Sequence, residues 1–429
     1  MNLFGKTLGI AAGALFASSA VAQDTTLNLW TWFPSEDVLN KTIDAFEAEN
    51  PGVDIQLNLL ESTAYQDRMP LALASGDPMD IVAVQTSTMV NLVKENLDPL
   101  PELFEAYASK PIGDLLSANA LAQAQSLADD STLYIAPMGV LGSVAVYYNA
   151  DILEELGLDI PRSRSDMAAF VEKVKADKPD MLPYSFTGAN WFLDEITLTI
   201  AEQKKQGFFN SVRYDEGGKW NSPDYLAAFD AIVGLYNDGI FARDTLDLDY
   251  GRSAELFQTG KAAAFIQGTW ESGILSAPFR ASKGIELDNI VASGLPVVVD
   301  GGTASIRSFI EVGLAVPKHS EHKELATKFI EFMTAGDGVK QWSDTLFVVP
   351  SMNNFALADG IFNTEEAASA YDELAALLLN PGSDRNNVSD FSAALGDIIT
   401  ESILNGTDSQ AQLERAQSEW DSGRYSNAN

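Results

Sequence analysis

Residues 26–33 read TLNLWTWF, residues 54–61 read DIQLNLLE and residues 80–84 read DIVAV, with two stretches of helical spacing between them. In the first, Leu27, Leu29, Thr31 and Phe33 alternate with Asn28, Trp30 and Trp32, the period-two pattern of a strand that ends in aromatics. Val38, Leu39, Thr42, Ile43 and Phe46 then recur at three- and four-residue spacing until Asn50-Pro51-Gly52 stops the helix. A second helix runs to Leu73-Ala74 before Ser75-Gly76-Asp77-Pro78 breaks it. The order is β-α-β-α-β. Strands alternating with helices predict a largely parallel sheet covered on both faces.

The same alternation extends outward. SVAVYYN (143–149) reads as a strand, and Met167, Phe170, Val171 and Val174 as the stripe of a helix. Ser222-Pro223 opens another helix with a capping hydroxyl and a first-turn proline, and Leu226, Phe229, Val233 and Tyr236 form its apolar face. Strands are predicted at 260–268, 290–298 and 310–316, and helices through Leu325, Phe329 and Phe332 and through Phe391, Leu395, Ile398 and Ile399. With no internal repeat and no long linker in 429 residues, two α/β domains with short connections are expected. Ahead of them, Met1 to Ala22 carries Lys6, an apolar run from Leu8 to Phe16 and the small residues Ala20-Val21-Ala22. That is the order of a secretory signal peptide cleaved after Ala22. No Cys follows to accept a lipid anchor, so a freely diffusing periplasmic protein is expected.

Charge and missing residues narrow the chemistry. Lys and Arg total 27 against 61 Asp and Glu, a net charge of −34 that repels nucleic acid and anionic lipid. There is no cysteine, which removes disulfides, zinc thiolates, iron–sulfur clusters and thiol nucleophiles. No G-x-S-x-G elbow and no P-loop is present, Gly260-Lys261 being followed by alanines. His319 and His322 fall in HSEHKE, a solvated helix start that Ser320 would cap, and no H-E-x-x-H accompanies them. Asp244, Asp247, Asp249 and Gly251 lack the ligand order of a calcium loop and read as an acidic turn. No metal or cofactor is implied. A carboxylate pair for glycosidic cleavage would be decided by spacing in space, not in sequence.

The informative residues are aromatic. Trp30 and Trp32 close the first strand, Tyr65 follows the second, Trp191 falls in the loop GANW, and Trp270 follows Gly268-Thr269 at the end of a strand. In an open sheet the ligand crevice forms outside the carboxyl ends of parallel strands, so such aromatics are placed for binding. Pyranose C–H faces pack on aromatic rings while the hydroxyls reach carboxylates and amides. Core packing is the alternative for each, above all for Trp30 and Trp342.

Six segments in order carry a resemblance: LNLWTWF (27–33), FEAENPGVDIQLNLL (46–60), ASGDPMDIV (74–82), LYIAPMGVLGSVAVYYNADILEELGL (133–158), ELFQTGKAAAFIQGTW (255–270) and HSEHKELATKFIEFMTAGDGVKQW (319–342). Together they resemble the extracellular solute-binding proteins of carbohydrate ABC importers, the group containing maltose- and glycerol-phosphate-binding proteins. The resemblance implies a two-lobe periplasmic-binding-protein-like α/β fold (type II), its discontinuous lobes joined by a three-crossing hinge. It places the crossings near Tyr134–Pro137, Gly294–Val297 and Phe347–Pro350, with 23–136 plus 297–346 as the N-terminal lobe and 137–296 plus 347–429 as the C-terminal lobe.

The same resemblance implies that a sugar or polyol is bound between the lobes of a monomer and handed to a membrane permease without being altered. Position by position it implies Trp270 after the Gly268 turn as a sugar-stacking ring, Trp191 as the second-lobe aromatic and Ser87 or Thr88 as polar contacts. Trp32, Phe33 and Glu36 fall in its first-strand loop. Val84-Gln85 departs from the maltose-type pattern of an aromatic followed by charged groups, which argues against a maltodextrin. Tyr65 completes the candidate set, and Glu271 beside Trp270 leaves open a cationic ligand such as a polyamine. A secreted carbohydrate-degrading enzyme is the remaining alternative.

Overall fold

The computed structural model describes residues 25–85, 89–214, 216–379, 383–384 and 389–424, so the expected signal peptide and Ser87 lie outside the described residues. Strands numbered along the chain are β1 Thr25–Thr31, β2 Val53–Leu59, β3 Ile81–Gln85, β4 Ala136–Pro137, β5 Gly139–Gly142, β6 Ala145–Asn149, β7 Leu182–Ser185, β8 Ala262–Gln267, β9 Ile290–Gly294, β10 Arg307–Ile310, β11 Val312–Ala315, β12 Val349–Pro350 and β13 Ser383–Asp384. They form three sheets, ordered β2-β1-β3-β11-β4, β7-β8-β6-β9 and β12-β5-β10-β13.

The opening β-α-β-α-β forms as the alternation predicts. Leu27 pairs with Ile55 and Leu29 with both Leu57 and Ile81, all in parallel register. Leu39, Ile43 and Phe46 of the helix Glu36–Glu49 close over this sheet, and Phe46 meets Phe329 edge-on at 5.0 Å. Phe329 belongs to the helix Lys323–Ala335, more than 250 residues downstream, so the first lobe is built from two separate stretches of chain. The second lobe likewise gathers the strand residues Val146, Tyr148 and Tyr184 with Phe391, Ile399 and Leu413 of the C-terminal helices.

Three features differ from expectation. The sheets are less parallel than predicted. β11 runs against β1, β2, β3 and β4 in the first, and β6 against β7, β8 and β9 in the second, because each of these two strands arrives from the other lobe and enters from the opposite direction. The second crossing lies later than Gly294–Val297. Val297 N–H bonds to Arg162 O at 3.0 Å and Thr303 N–H to Gln203 O at 3.0 Å, so the chain stays on the second lobe until β10 leads into β11. Ser320 does not cap a helix. It donates to Asp80 Oδ1 at 2.6 Å, Asp80 Oδ2 accepts from Asn28 N–H at 2.9 Å, and the helix begins after His322. His319 bonds to Asp77 O at 2.9 Å, and no cluster of metal-ligating side chains occurs among the described residues.

The third sheet holds the crossings side by side. β5 belongs to the first, β10 to the second and β12 to the third, and β5 pairs antiparallel with both others. A Cβ at Gly142 would meet the terminal methyls of Leu378 and Ile306, so these side chains pack directly against the strand's backbone there.

Beneath β10 lies a buried ionic cluster. Arg307 is fully buried and pairs with Glu195 of the helix Asn190–Lys204, while its guanidinium sits 5.5 Å from the Phe209 ring centre. Asp194 on the same helix accepts from Ser392 Oγ at 2.6 Å, and burial, opposed by Arg307, pushes its carboxyl up to about 7. Glu202 is raised by burial too, against donation from Gly207 N–H and Phe209 N–H at 2.7 and 2.9 Å. A carboxyl whose folded pKa exceeds its unfolded value binds its proton better in the native state, so it subtracts stability as pH rises from about 4 to 7. Asp194→Asn abolishes that loss. Its stability relative to wild type should therefore improve between pH 5 and pH 8 by on the order of 2 kcal/mol, read by chemical denaturation. A pH-independent difference would show that Asp194 is ionised throughout.

Candidate ligand-binding site

β1 stops at Thr31, whose hydroxyl donates to Phe33 O at 2.6 Å and accepts from Phe33 N–H at 3.1 Å, turning the chain sharply. This turn presents two half-buried rings. Trp32 lies 5.0 Å from Tyr65, and Phe33 lies 4.5 Å from Phe347 of the third crossing. Glu36 is exposed in the first turn of the following helix. Tyr65 is a correction: it sits inside the helix Ser62–Ser75, fully buried, with its hydroxyl donating to Ala83 O at 2.7 Å and Trp30 O at 3.0 Å. A ring with no accessible surface and a committed hydroxyl supports Trp32 from behind and offers nothing to a ligand. Trp30 and Trp342 are core residues, as the packing alternative held.

The second lobe brings four aromatic and acidic side chains together. β8 ends at Gln267, and after Gly268 a tight helical turn, Thr269–Leu275, carries Trp270 and Glu271. Trp191 stands 6.3 Å from Trp270 with the planes tilted by 39°. It belongs to the first turn of the helix Asn190–Lys204 and not to a loop. Tyr250 joins them without having been anticipated: Trp270 Nε1–H donates to its hydroxyl at 3.1 Å, and that hydroxyl donates to the Glu271 carboxylate. Burial raises the pKa of Glu271, opposed by the tyrosine hydroxyl, and burial together with the Glu271 charge raises that of Tyr250.

The sequence signal for Tyr250 was the neighbouring acidic run, since Asp249 caps the helix Tyr250–Gln258 by accepting Arg252 N–H at 2.7 Å. Asp249 thus serves as a helix cap, the role of an acidic turn. Gly268 fits under Trp270 so closely that a Cβ would fall within the indole, and its carbonyl accepts from Tyr147 Oη at 3.1 Å. At the end of β3, Gln85 Nε2 donates to Glu311 Oε1 at 2.8 Å.

Flat rings edged by neutral and acidic hydrogen-bonding groups thus stand together on the second lobe. Residues 34–340 match a family described as bacterial extracellular solute-binding protein. The chain belongs to that family. Among members of the wider group, it is 24% identical over 375 residues to the galactooligosaccharide-binding protein of Bacillus subtilis, covering 85% of this chain and 82% of that one. It is 20% identical over 322 residues to the multiple sugar-binding protein of Streptococcus mutans, covering 71% and 70%.

Solved structures share the architecture. The sugar-binding protein MalE of Xanthomonas citri superposes with a TM-score of 0.73 at 17% identity over 93% of this chain and 97% of that one. A chitin oligosaccharide binding protein gives 0.68 at 18% identity, covering 93% and 98%. The solute-binding protein described here therefore has the two-lobe α/β fold of periplasmic binding proteins. No helix among its described residues is long and apolar enough to cross a membrane.

Gly268→Ala should displace the Trp270 indole while leaving the fold intact, because a methyl cannot share the space of the ring. Its tryptophan emission should shift, and stability should fall by about 1–3 kcal/mol. Unchanged emission would show that the turn accommodates a Cβ without moving Trp270.

Proposed function

We propose that this solute-binding protein is the exported receptor of an ABC importer, taking a sugar or polyol between its lobes and passing it unaltered to the membrane permease. The observation that carries the reading is the second-lobe wall in which Trp191 and Trp270 lie 6.3 Å apart, with Trp270 tied through Tyr250 to Glu271. Indole faces suit the apolar faces of a pyranose, and the tyrosine–carboxylate edge suits its hydroxyls. Trp32, Phe33 and Glu36 contribute from the first lobe, Ser87 is retained as a candidate from the third-strand loop, and Gly268 shapes the Trp270 turn. The galactooligosaccharide-, multiple-sugar- and chitin-oligosaccharide-binding names of similar proteins support a carbohydrate ligand.

The rest of the reading follows from export and family. The signal peptide is removed after Ala22 and the mature chain acts in the periplasm as a monomer, its partners a small carbohydrate and a permease and not nucleic acid. It has no cofactor and catalyses nothing, in keeping with a family of binding proteins. A cationic ligand is the second reading, favoured by the Glu271 carboxylate beside two indoles. Because Tyr250 already donates to that carboxylate, part of its capacity is taken, and the sugar reading is preferred.

Thermal melting against a panel of mono- and oligosaccharides, polyols and polyamines tests this. A ligand at a hundred times its Kd adds about 2.7 kcal/mol to the folded state, so one class should raise Tm by several degrees. Trp270→Ala should abolish the rise. Sugar binding should be nearly indifferent to salt, whereas a response confined to polyamines and weakened by salt would replace the carbohydrate reading. No response to any member of the panel would overturn both.

A further inference from the structure

A second cavity lies away from the aromatic wall, beneath the segment that follows the third crossing. It is a half-open cavity of about 910 Å³ lined by Ser117, by residues between 349 and 364 and by one face of the helix Glu365–Leu379. That volume is within the range of small-molecule sites. None of the residues assigned to the aromatic wall lines it.

Its existence follows from the sequence of both walls. Glu365, Ala368, Asp372, Ala375 and Leu379 recur at three- and four-residue spacing and so share a helix face, and the alanines leave that face shallow. The opposite wall cannot collapse onto it, because the strap is fastened at both ends. Asn353 N–H donates to Leu115 O at 2.9 Å and its Nδ2 to Leu116 O at 3.1 Å, on the first lobe. Ile361 O accepts from Ala277 N–H at 3.0 Å and Asn363 Nδ2 donates to Asp288 O at 2.8 Å, on the second. Left-handed residues at Asn354 (φ 57°) and Gly360 (φ 83°) turn the chain out and back, so residues 354–360 arch over open space.

The lining chemistry is one-sided. Phe355, Phe362 and Tyr371 supply rings, and Phe362 stands 5.4 Å from Tyr371. The only charged residues on the wall are Asp359, Glu365 and Asp372, with no Lys, Arg or His. None of the three forms an ion pair among the described residues. Tyr371 is only 5% exposed and its hydroxyl has no partner among the described residues. Aromatic faces rimmed by unpaired carboxylates attract a cation that carries apolar surface, through ring quadrupoles and charge together.

We propose that this hinge-side cavity is a second binding site, separate from the interlobe site, and that it takes an organic cation: an ammonium group on an aromatic or branched-alkyl body. This assignment stands whatever the interlobe site binds. Since its strap is bonded to both lobes, an occupant rests against the moving parts of the hinge.

The test is calorimetric titration of the full chain with benzyltrimethylammonium chloride, with benzyl alcohol as the uncharged comparison. Saturable one-site binding below about 1 mM is expected, at least about tenfold tighter than for benzyl alcohol. Asp359→Asn combined with Asp372→Asn should weaken it about tenfold, Ala368→Trp should fill the cavity and abolish it, and Trp270→Ala should leave it unchanged. In protein carrying ¹³C-methyl methionine, the probe should move the resonance of Met352, which lines the cavity, and this readout holds even where Ala368→Trp fails to fold. No saturable heat, unweakened binding in the double variant, undiminished binding in folded Ala368→Trp, an unmoved Met352 signal or loss of binding in Trp270→Ala would each overturn the proposal.

Discussion

Everything in this molecule hangs on the hydrogen bonds that join β5 to β10 and to β12. Three passages of the chain between lobes could have been three independent tethers. Paired antiparallel in one small sheet, they become a single flexible element whose strands twist together. The sheet is bonded to the aromatic wall as well as to itself. Gly142 N–H donates to Thr269 Oγ1 at 2.7 Å, so the strand of the first crossing holds the turn that carries Trp270. Phe347, on the approach to the third crossing, packs against Phe33 in the same way from the first lobe.

The ionic cluster beneath β10 extends that connection into the second lobe. Glu195 is one turn along the helix that Trp191 opens, and Arg307 fixes it to the crossing strand. Removing one member of a buried pair costs about 3–5 kcal/mol because the other is left charged and dry. Phe192 to Gln203 are buried without interruption, so the helix has no solvent face through which it could loosen. Aromatic wall, central helix and crossing strands are thus bonded to one another.

Much of this was legible in the sequence, and the failures have physical causes. The helix Glu36–Glu49 was readable because it has one buried and one wet face, which prints a period on the chain. The helix Asn190–Lys204 was not, since a helix buried all round carries no such stripe. β5, β10 and β12 are two to four residues long and pair with partners some 170 to 210 positions away, which no local pattern announces. Trp191 and Trp270 are singled out in the sequence by the rule that ligands gather at strand ends, and the structure brings the two rings together. Tyr250 was missed because its link to Trp270 is made only in space, and Tyr65 was misassigned because a buried tyrosine and a ligand-facing one look alike in a linear sequence.

The pairing of Trp191 with Trp270 has a further consequence, for the order of events in time. Both rings, Tyr250 and Glu271 stand in one lobe and are already in contact without help from the other. On the proposed reading, a ligand meeting this wall finds it assembled and spends little conformational entropy in ordering it. Capture is then a second-order encounter with one half of the molecule, and enclosure by the other half is a first-order event that follows. On that same reading residence time is governed by how seldom the first lobe swings away, so two ligands of equal contact with the wall can differ widely in how long they are held.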